Sequence, residues 1–540
     1  MYGSSNDWSR SATGLESPPL ANGNGKSVGY TDGRGACVEP SALVVFRGAP
    51  ARFRSAAHKN NMIVRVIQCI GLCCMLWLAA SAAVAAEDAD ESLTAADRHF
   101  LDTLQERTFR FFWETANPAN GLVPDRWPGP DRESAPSSVA AVGFGLTAYC
   151  VGVERGYITR DQARERVLAT LQFFMMAPQH AEPDNVTGFR GYYYHFLDMQ
   201  SGHRRWNCEL SSIDTALLMA GVLACGEFFA GDDPREREIR ALADALYRRV
   251  EWTWMQPRPP LICMSWRPER GFGDHEYRGY NEAMLLYVLA LGSPSHPIDP
   301  AVWDAYTSTY EWADFYGQEH VNFEPLFGHQ YSHVWIDFRR IQDRYMRDKG
   351  IDYFENSRRA TYSQRAYAID NPQRWRDYGA DVWGLTACDG PADKVLPFAG
   401  EDRHFHSYWA RGASAVRIND DGTVAPTAAG GSIPFAPEIA IPAIRAMRDR
   451  YGEALFAKYG FLDSFNPSFR FTDVELKHGQ VIEGAGWFDG DYLGIDQGPI
   501  LLMSENYRSE LVWKLLRKNA YLRRGLERAG FSGGWLDERP

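Results

Sequence analysis

From Leu93 onward, apolar and polar positions fall into two repeating patterns. In one, a charged face runs beside an apolar face at helical spacing: Thr94 to Ala116, Arg160 to Met176, Arg235 to Trp254, Trp303 to Tyr316 and Asn356 to Ile369. In the other, apolar residues run nearly all round: Val139 to Val153, Ile213 to Phe229, Ala283 to Leu291, Ala436 to Met447 and, less uniformly, Pro499 to Leu516. A helix of the first kind buries one side, whereas one of the second kind needs cover everywhere. The two kinds alternate, which is satisfied by an inner ring of covered helices inside an outer ring of half-covered ones. The predicted fold class is therefore all-α, an (α/α)6 double barrel, with the sixth inner helix either Tyr331 to Arg340 or Asp381 to Ala387. A helical solenoid would alternate in the same way, but no sequence period recurs from hairpin to hairpin.

Acidic residues sit where the covered helices begin. Glu282 occupies the expected first turn of the Ala283 to Leu291 helix, with Asn281 as its cap and Gly292-Ser293-Pro294 as its stop. Glu209 and Asp214, Glu438, and Asp496 hold similar places on three others. Taken singly each reads as a helix cap, and Ser211-Ser212-Ile213-Asp214 fits a capping box worth about 0.3–1 kcal/mol with the helix dipole. Capping does not explain why acids collect on helices whose ends have little water, because burying a charge costs far more than a cap returns unless the charge faces a wet cavity. The pattern predicts a mouth lined by carboxylates at one end of the ring. Long aromatic loops, Ala177 to Trp206 and Ala392 to Trp409, would border it.

Such a mouth suits glycoside hydrolysis, which needs one protonated carboxyl at the leaving oxygen and one ionised group on water or carbon. Helix ends facing each other across a barrel leave room for a water, so inversion is expected, with the two groups roughly 6.5–9.5 Å apart. The 17 tryptophans and 26 tyrosines are core material first, and their faces also suit sugar rings. Other motifs carry less. His329 and His333 stand at i and i+4 and His404-Phe405-His406 adds two more rings, but no HExxH or ligand-spaced acid accompanies them, so no metal or other cofactor is expected. Gly486 to Gly498 lacks any phosphate-loop spacing.

Composition changes the picture at the N-terminus. Residues 1–61 are rich in Gly, Ser and Asn without apolar period, and read as a disordered or mis-assigned upstream segment. Residues 62–86 have the plan of a secretory signal peptide: Arg65, an apolar run, then Ala83-Val84-Ala85 as a cleavage site. Translation is expected to start near Met62 and to give a periplasmic or secreted product, with residues 87–540 as one domain. An uncleaved run would instead anchor the chain to a membrane. Residues 1–86 carry 8 of the 57 Lys/Arg and 4 of the 69 Asp/Glu, so the remainder holds 49 and 65, a net charge of −16. That acidity excludes nucleic acid as a partner. Five cysteines follow residue 86 without any CxxC pair, so neither a disulfide framework nor a zinc knuckle is predicted, and at most one or two bridges.

Several motifs resemble those of the bacterial glucoamylase-like domain family in one order, from about Asp97 to about Arg528. They are Trp206-Asn-Cys-Glu209 through Asp214-Thr-Ala-Leu-Leu, Tyr280-Asn-Glu282 through Pro297, His329 to His333 with Trp335-Ile-Asp337, Tyr353 to Ala360, Trp383 through Asp389-Gly-Pro391, Asp496-Gln-Gly-Pro and Glu505-Asn-Tyr-Arg-Ser509. The resemblance implies an (α/α)6 barrel and, through relatives grouped as glycoside hydrolase family 144, cleavage of β-1,2-glucan to sophoro-oligosaccharides with inversion. Related domains of cyclic β-1,2-glucan synthases transfer glycosyl groups instead. By this resemblance Glu282 matches the family's essential glutamate and Asp496 its later aspartate, with Glu209 and Asp214 as the acidic pair of a helix motif. The expected roles are Glu282 as general acid and Asp496 as base. Glu209, Asp214, Asp389, Glu438 and Arg411 are expected to bind substrate, and Trp206, Trp383 and Trp487 to supply stacking faces. A transglycosylase and a non-catalytic glycan-binding envelope protein are the alternatives.

Overall fold

Burial sorts the helices of the computed structural model into the two kinds that the patterning requires. The structure describes residues 93–129 and 135–538, and the readings made for residues 1–61 and 62–86 lie outside them. Fifteen α-helices occur among the described residues: α1 Ala95–Thr115, α2 Val139–Glu154, α3 Arg160–Met176, α4 Ser212–Phe228, α5 Pro234–Arg249, α6 Met284–Gly292, α7 Ala301–Thr307, α8 Tyr331–Trp335, α9 Arg344–Lys349, α10 Tyr353–Asp370, α11 Pro426–Gly430, α12 Pro437–Tyr451, α13 Gly494–Ser509, α14 Leu511–Leu516 and α15 Ala520–Arg528. All of α6, α8 and α11 is buried, and nearly all of α2, α4 and α13. Each is preceded in sequence by a helix that keeps an exposed face, such as α1, α3 or α5. None of the described helices is long and apolar enough to cross a membrane.

The covered helices are each other's neighbours. Helix α2 packs on α4 and α13, α4 on α6, α6 on α8, and α8 on α13. Helices α2 and α4 approach closely: a Cβ on Gly143 would lie 2.3 Å from Leu217 O and one on Gly221 would lie 2.1 Å from Gly143 O. Glycine is required there because two backbones meet without side chains between them.

The structure corrects four helix expectations and decides between the two candidates left open for a fifth. Helix α12 is half-covered, not inner: Glu438, Pro442, Asp449 and Arg450 face outward, and the covered member of that pair is the short α11. The run from Pro499 is divided by Glu510, in the left-handed region at φ 58°, and its helix starts earlier, at Gly494. Trp303 to Tyr316 holds only α7 before a hairpin of Trp312–Phe315 with Gln318–Val321 begins. Arg235 to Trp254 leaves the α-helix at Arg249 and ends in a 3₁₀ turn, Trp252–Met255. Of the two candidates for the sixth inner helix, α8 is buried throughout, and Asp381 to Ala387 is not helical.

The expectation of an all-α chain is incomplete, because the long loops fold into short strands. Gly188–Phe189, Tyr192–Tyr194, Leu210–Ser211, Ser265–Arg267 and Gly271–Phe272 form a five-stranded antiparallel sheet in that order. Three strands lead directly into covered helices. Leu210–Ser211 enters α4, Pro136–Ser138 enters α2 while paired to Phe196–Asp198, and Tyr492–Leu493 enters α13 while paired to Arg126–Trp127. An extended residue, Ser138, Ser211 or Leu493, caps each start. Strand pairing thus fixes loop residues against the N-terminal ends of buried helices, where the dipole is positive.

Candidate active site

Glu282 stands one residue ahead of the N-cap of α6, not in its first turn as expected. The turn that carries it is held from three sides. Asn281 Oδ1 accepts from Ala283 N at 3.0 Å, and Tyr306 OH donates to Asn281 Oδ1 at 3.1 Å. From α8, Ser332 Oγ donates to Glu282 O at 2.9 Å and accepts from Leu285 N at 3.0 Å. The Tyr277 hydroxyl meets the Glu282 carboxyl, and Tyr277 is itself tied by Tyr287, whose OH donates to Tyr277 O at 2.6 Å. Glu282 remains partly exposed although protein surrounds it as densely as in the interior, the combination expected of a recess wall. Burial, with the charge of Asp214 added, raises its pKa to about 7.

Beside it lies a paired group of charges. Ser211 Oγ caps α4 by accepting from Asp214 N at 3.2 Å, while the Asp214 carboxylate lies 3.8 Å from His195 Nε2. On the other ring nitrogen, His195 Nδ1 is 3.0 Å from Glu209 Oε1, and Arg267 donates to Glu209 Oε2 at 2.7 Å. Burial works against the Glu209 charge, and His195 and Arg267 overcome it, bringing its pKa down to about 2.

A second wall is crowded with carboxyls. Asp463 and Asp496 hydrogen-bond to each other, which requires a proton between them. Burial and the nearby Asp389 charge raise Asp463 to about 7, and burial with the Asp463 charge raises Asp496 well above the carboxylate range. Asp463 Oδ2 accepts from Asp389 N at 2.7 Å, and Ser464 Oγ donates to Asp389 O at 2.8 Å. Arg126 supplies the compensating cation. Its Nη1 donates to Asp389 Oδ2 at 2.6 Å and lies 3.5 Å from Asp491 Oδ2 and 3.3 Å from His478 Nδ1. Burial acts against the Asp389 charge, yet Arg126 and His478 hold its carboxyl below the usual range. Asp489, facing Asp389, Asp463 and Asp491, is pushed well above it, first by burial and then by those charges.

Both walls belong to one site. Tyr331 on α8 lies within electrostatic reach of Glu282 and Asp214 on one side and of Asp463 and Asp496 on the other. Asp125 similarly links His195 and Asp214 to Asp389. The structure therefore brings Glu282, Asp496, Glu209, Asp214 and Asp389 together. Trp206 borders the first wall, 57% exposed and edge-on to Phe196, with an open face.

Four expected members stand elsewhere or are fully engaged. Glu438 is exposed and paired to Arg358 and Tyr362, because α12 turns that face outward. Trp383 and Trp487 are wholly buried with no face left for stacking; Trp487 Nε1 donates to His478 O at 2.8 Å. Arg411, also wholly buried, spends its guanidinium on Asp421, Cys388 O, His406 O and Ser407 O, so it braces the backbone next to Asp389. Sequence reading missed Arg126, His195, Asp463, Asp489 and Asp491. All five lie on loops or strand ends without period, and the available signal was the Asp489-Gly490-Asp491 pair inside the glycine-rich stretch.

Asp389, His478 and Asp489 have the composition of a cation site, their ligand atoms lying within 4.8 Å of one another. Arg126 already occupies its edge. Its guanidinium donates to Asp389 Oδ2 and lies 3.3 Å from His478 Nδ1, so a cation already sits among two of the three residues. Of the other histidines, His329 bonds Phe323 O at 3.2 Å and His333 bonds Ser357 Oγ at 3.1 Å, from a 3₁₀ turn and α8 respectively, so they do not share one helix face. His404 lies tilted against His406, with ring centres 4.0 Å apart, and His406 stacks on Trp409. All five described cysteines are free and buried.

Residues 274–520 match the family model described as "Putative glucoamylase". A crystal structure of a protein of that description from Bacteroides uniformis ATCC 8492 is 31% identical, with a TM-score of 0.69, and the match covers 83% of this chain and 100% of that one. An endo-β-1,2-glucanase from Chitinophaga pinensis, solved with sophorotriose and glucose, is 28% identical with a TM-score of 0.68, covering 82% of this chain and 100% of that one. The exo β-1,2-glucooligosaccharide sophorohydrolase (non-reducing end) of Parabacteroides distasonis is 29% identical over 467 residues, 80% of this chain. This chain spans 58% of that curated relative's length.

Proposed function

This chain belongs to the glucoamylase-like family, and from that membership we propose that it is a glycoside hydrolase cleaving β-1,2-glucan to sophoro-oligosaccharides with inversion. The observation that carries the reading is the division of labour between the walls. Glu282 keeps its proton up to about pH 7, while burial and like charge raise both members of the Asp463–Asp496 pair, and loss of one proton from it leaves one negative charge shared by two carboxyls. Glu282 gives its proton to the glycosidic oxygen as the bond to the anomeric carbon breaks. The ionised member of the pair takes a proton from water, whose oxygen attacks that carbon from the opposite face. Glu282 is left ionised and the pair doubly protonated, and exchange with solvent resets both. Glu209, Asp214 and Asp389, each held by a cation, suit acceptance of sugar hydroxyls, and Trp206 suits stacking on a ring.

The linkage comes from the activities of the Chitinophaga and Parabacteroides relatives. The same reading takes the six covered helices as the inner ring of an (α/α)6 double barrel and export as the fate of the chain, through residues 62–86. Mapping the mature N-terminus tests the export. The catalytic proposal is tested by incubating the purified protein with a panel of linkage-defined glucans and following reducing ends and the anomer first formed. Release of inverted sophoro-oligosaccharides from β-1,2-glucan is expected. Longer or cyclic products with retained linkages would mark a transferase, and binding without turnover at any pH a glycan-binding protein.

A further inference from the structure

We propose that His195 is a positioning residue for Glu282, a fixed positive charge held between Glu209 and Asp214 that lets the Asp214 carboxylate stand beside a protonated acid. The inference rests on the reading of Glu282 as the acid. His195 lies between the strands Tyr192–Tyr194 and Phe196–Asp198, and its backbone is pinned at both ends: His195 N donates to Glu209 O at 2.9 Å, and Val139 N, at the start of α2, donates to His195 O at 3.1 Å. The ring stacks on Phe196 at 3.9 Å and 14°. Its nitrogens point at Glu209 and Asp214, 3.0 and 3.8 Å away, so neither has a choice of partner.

The charges around it come from every element packed there. Glu209 precedes the strand Leu210–Ser211, Asp214 lies on α4 and Asp125 on the loop before Arg126. Arg267 approaches Glu209 from its far side, and the Cys208 thiol lies against the Phe196 backbone. Burial works against a charged ring, but Asp214, Glu209 and Asp125 together raise its pKa to about 9. Beyond Asp214 stands Glu282, whose own proton that aspartate favours. An imidazolium therefore faces Asp214, the acid beside Glu282, and Glu209 behind it, and it touches neither member of the pair on the other wall. It tunes the acid without touching the reacting atoms.

Two readouts test this in the full chain. In histidine-labelled protein, the ring resonance that disappears in His195→Gln is expected to keep its imidazolium shift through pH 8. A ring that loses its proton below pH 7 overturns the proposal. In the pH profile of kcat/KM, His195→Gln is expected to move the alkaline limb upward by about 0.3 unit, because an Asp214 without its cation holds the Glu282 proton more tightly, and to leave the acid limb in place. His195→Lys, which restores a charge, is expected to bring the limb back. An unmoved limb in His195→Gln, or equal shifts in both variants, overturns the proposal. Should the wild-type protein hydrolyse no glucan, the proposed function fails in that assay, while the ring titration still decides the charge on His195.

Discussion

The two walls of the site reach the same end, a carboxyl proton retained near neutral pH, by different physical routes. Glu282 is a single acid at the mouth of a helix whose nine residues are all buried, and loss of water is the chief reason it keeps its proton. Across the site, Asp463 and Asp496 are buried too, but each also faces other acids, and crowding forces them to share. The contrast teaches which neighbours matter. A desolvated acid depends on packing and is little changed by removing one charge nearby. A crowded pair is reset by any single neutralisation.

The largest effect should come from the desolvated wall. Glu282→Gln deletes the proposed acid and is expected to lower kcat by roughly 10³–10⁴ with the fold intact, at the upper end of what one acid supplies. Circular dichroism and turnover on β-1,2-glucan measure both, and turnover within tenfold of wild type would remove Glu282 from the role. Next, Asp463→Asn and Asp496→Asn should each lower kcat by about 10², more for whichever is the base. Either should also move the acid limb of the pH profile downward, since the remaining carboxyl no longer competes for a proton. On the other wall, Asp214→Asn should lower the alkaline limb only slightly, because burial outweighs Asp214 at Glu282. Equal shifts from both walls would erase the distinction drawn between them.

Arg126 has its counterpart in His195, one cation for each wall. Arg126→Met leaves Asp389, which has no exposed side-chain surface, without its ion pair. Breaking a buried pair costs about 3–5 kcal/mol, and the 18% exposure of Arg126 argues for the lower end. In the wild type, Asp389 has a depressed pKa, so its contribution is present above the carboxylate range and lost as pH falls through it. The destabilisation by Arg126→Met should therefore be greatest at neutral pH and shrink toward pH 4. Chemical denaturation at several pH values measures it, and a loss independent of pH would mean that packing, not charge, is what Arg126 provides.

How much of this was legible in the sequence follows the same division. Helices α2, α4 and α6 were visible because apolar runs announce full burial, and Glu282, Asp214 and Asp496 were visible because they sit at or near the starts of such runs. Reading Glu438 as a member failed for the reason that α12 was misread. Its outward face carries Pro442 and few charges before Arg445, so a half-covered helix looked fully covered. Short α11, five residues of mostly small side chains, left too little pattern to be read as the covered helix. The crowded wall was the least legible part. Asp389, Asp463, Asp489 and Arg126 come from loops and strand ends brought together only by long-range pairing, such as Arg126–Trp127 against Tyr492–Leu493. Tryptophan content suggested stacking faces, but burial took Trp383 and Trp487 for the core and left Trp206.

The smallest effect is also the one that separates desolvation from crowding in the folded protein itself, without substrate. Glu282 binds its proton more tightly in the native state, at about 7, than in the unfolded chain near 4.5. Between those values the native protein holds more protons, so its stability falls as pH rises through that window, and above it the full cost of an ionised, partly desolvated carboxylate remains. With a discount for partial exposure, that cost is about 1–3 kcal/mol. Glu282→Gln removes it. The variant should match wild type below pH 4.5 and become progressively more stable than wild type up to pH 7, then hold a constant margin. The most inactive variant is thus expected to be the more stable protein at pH 8. If denaturation midpoints at pH 5 and pH 8 show the same difference between the two proteins, burial is not what holds the Glu282 proton, and the two walls work in one way after all.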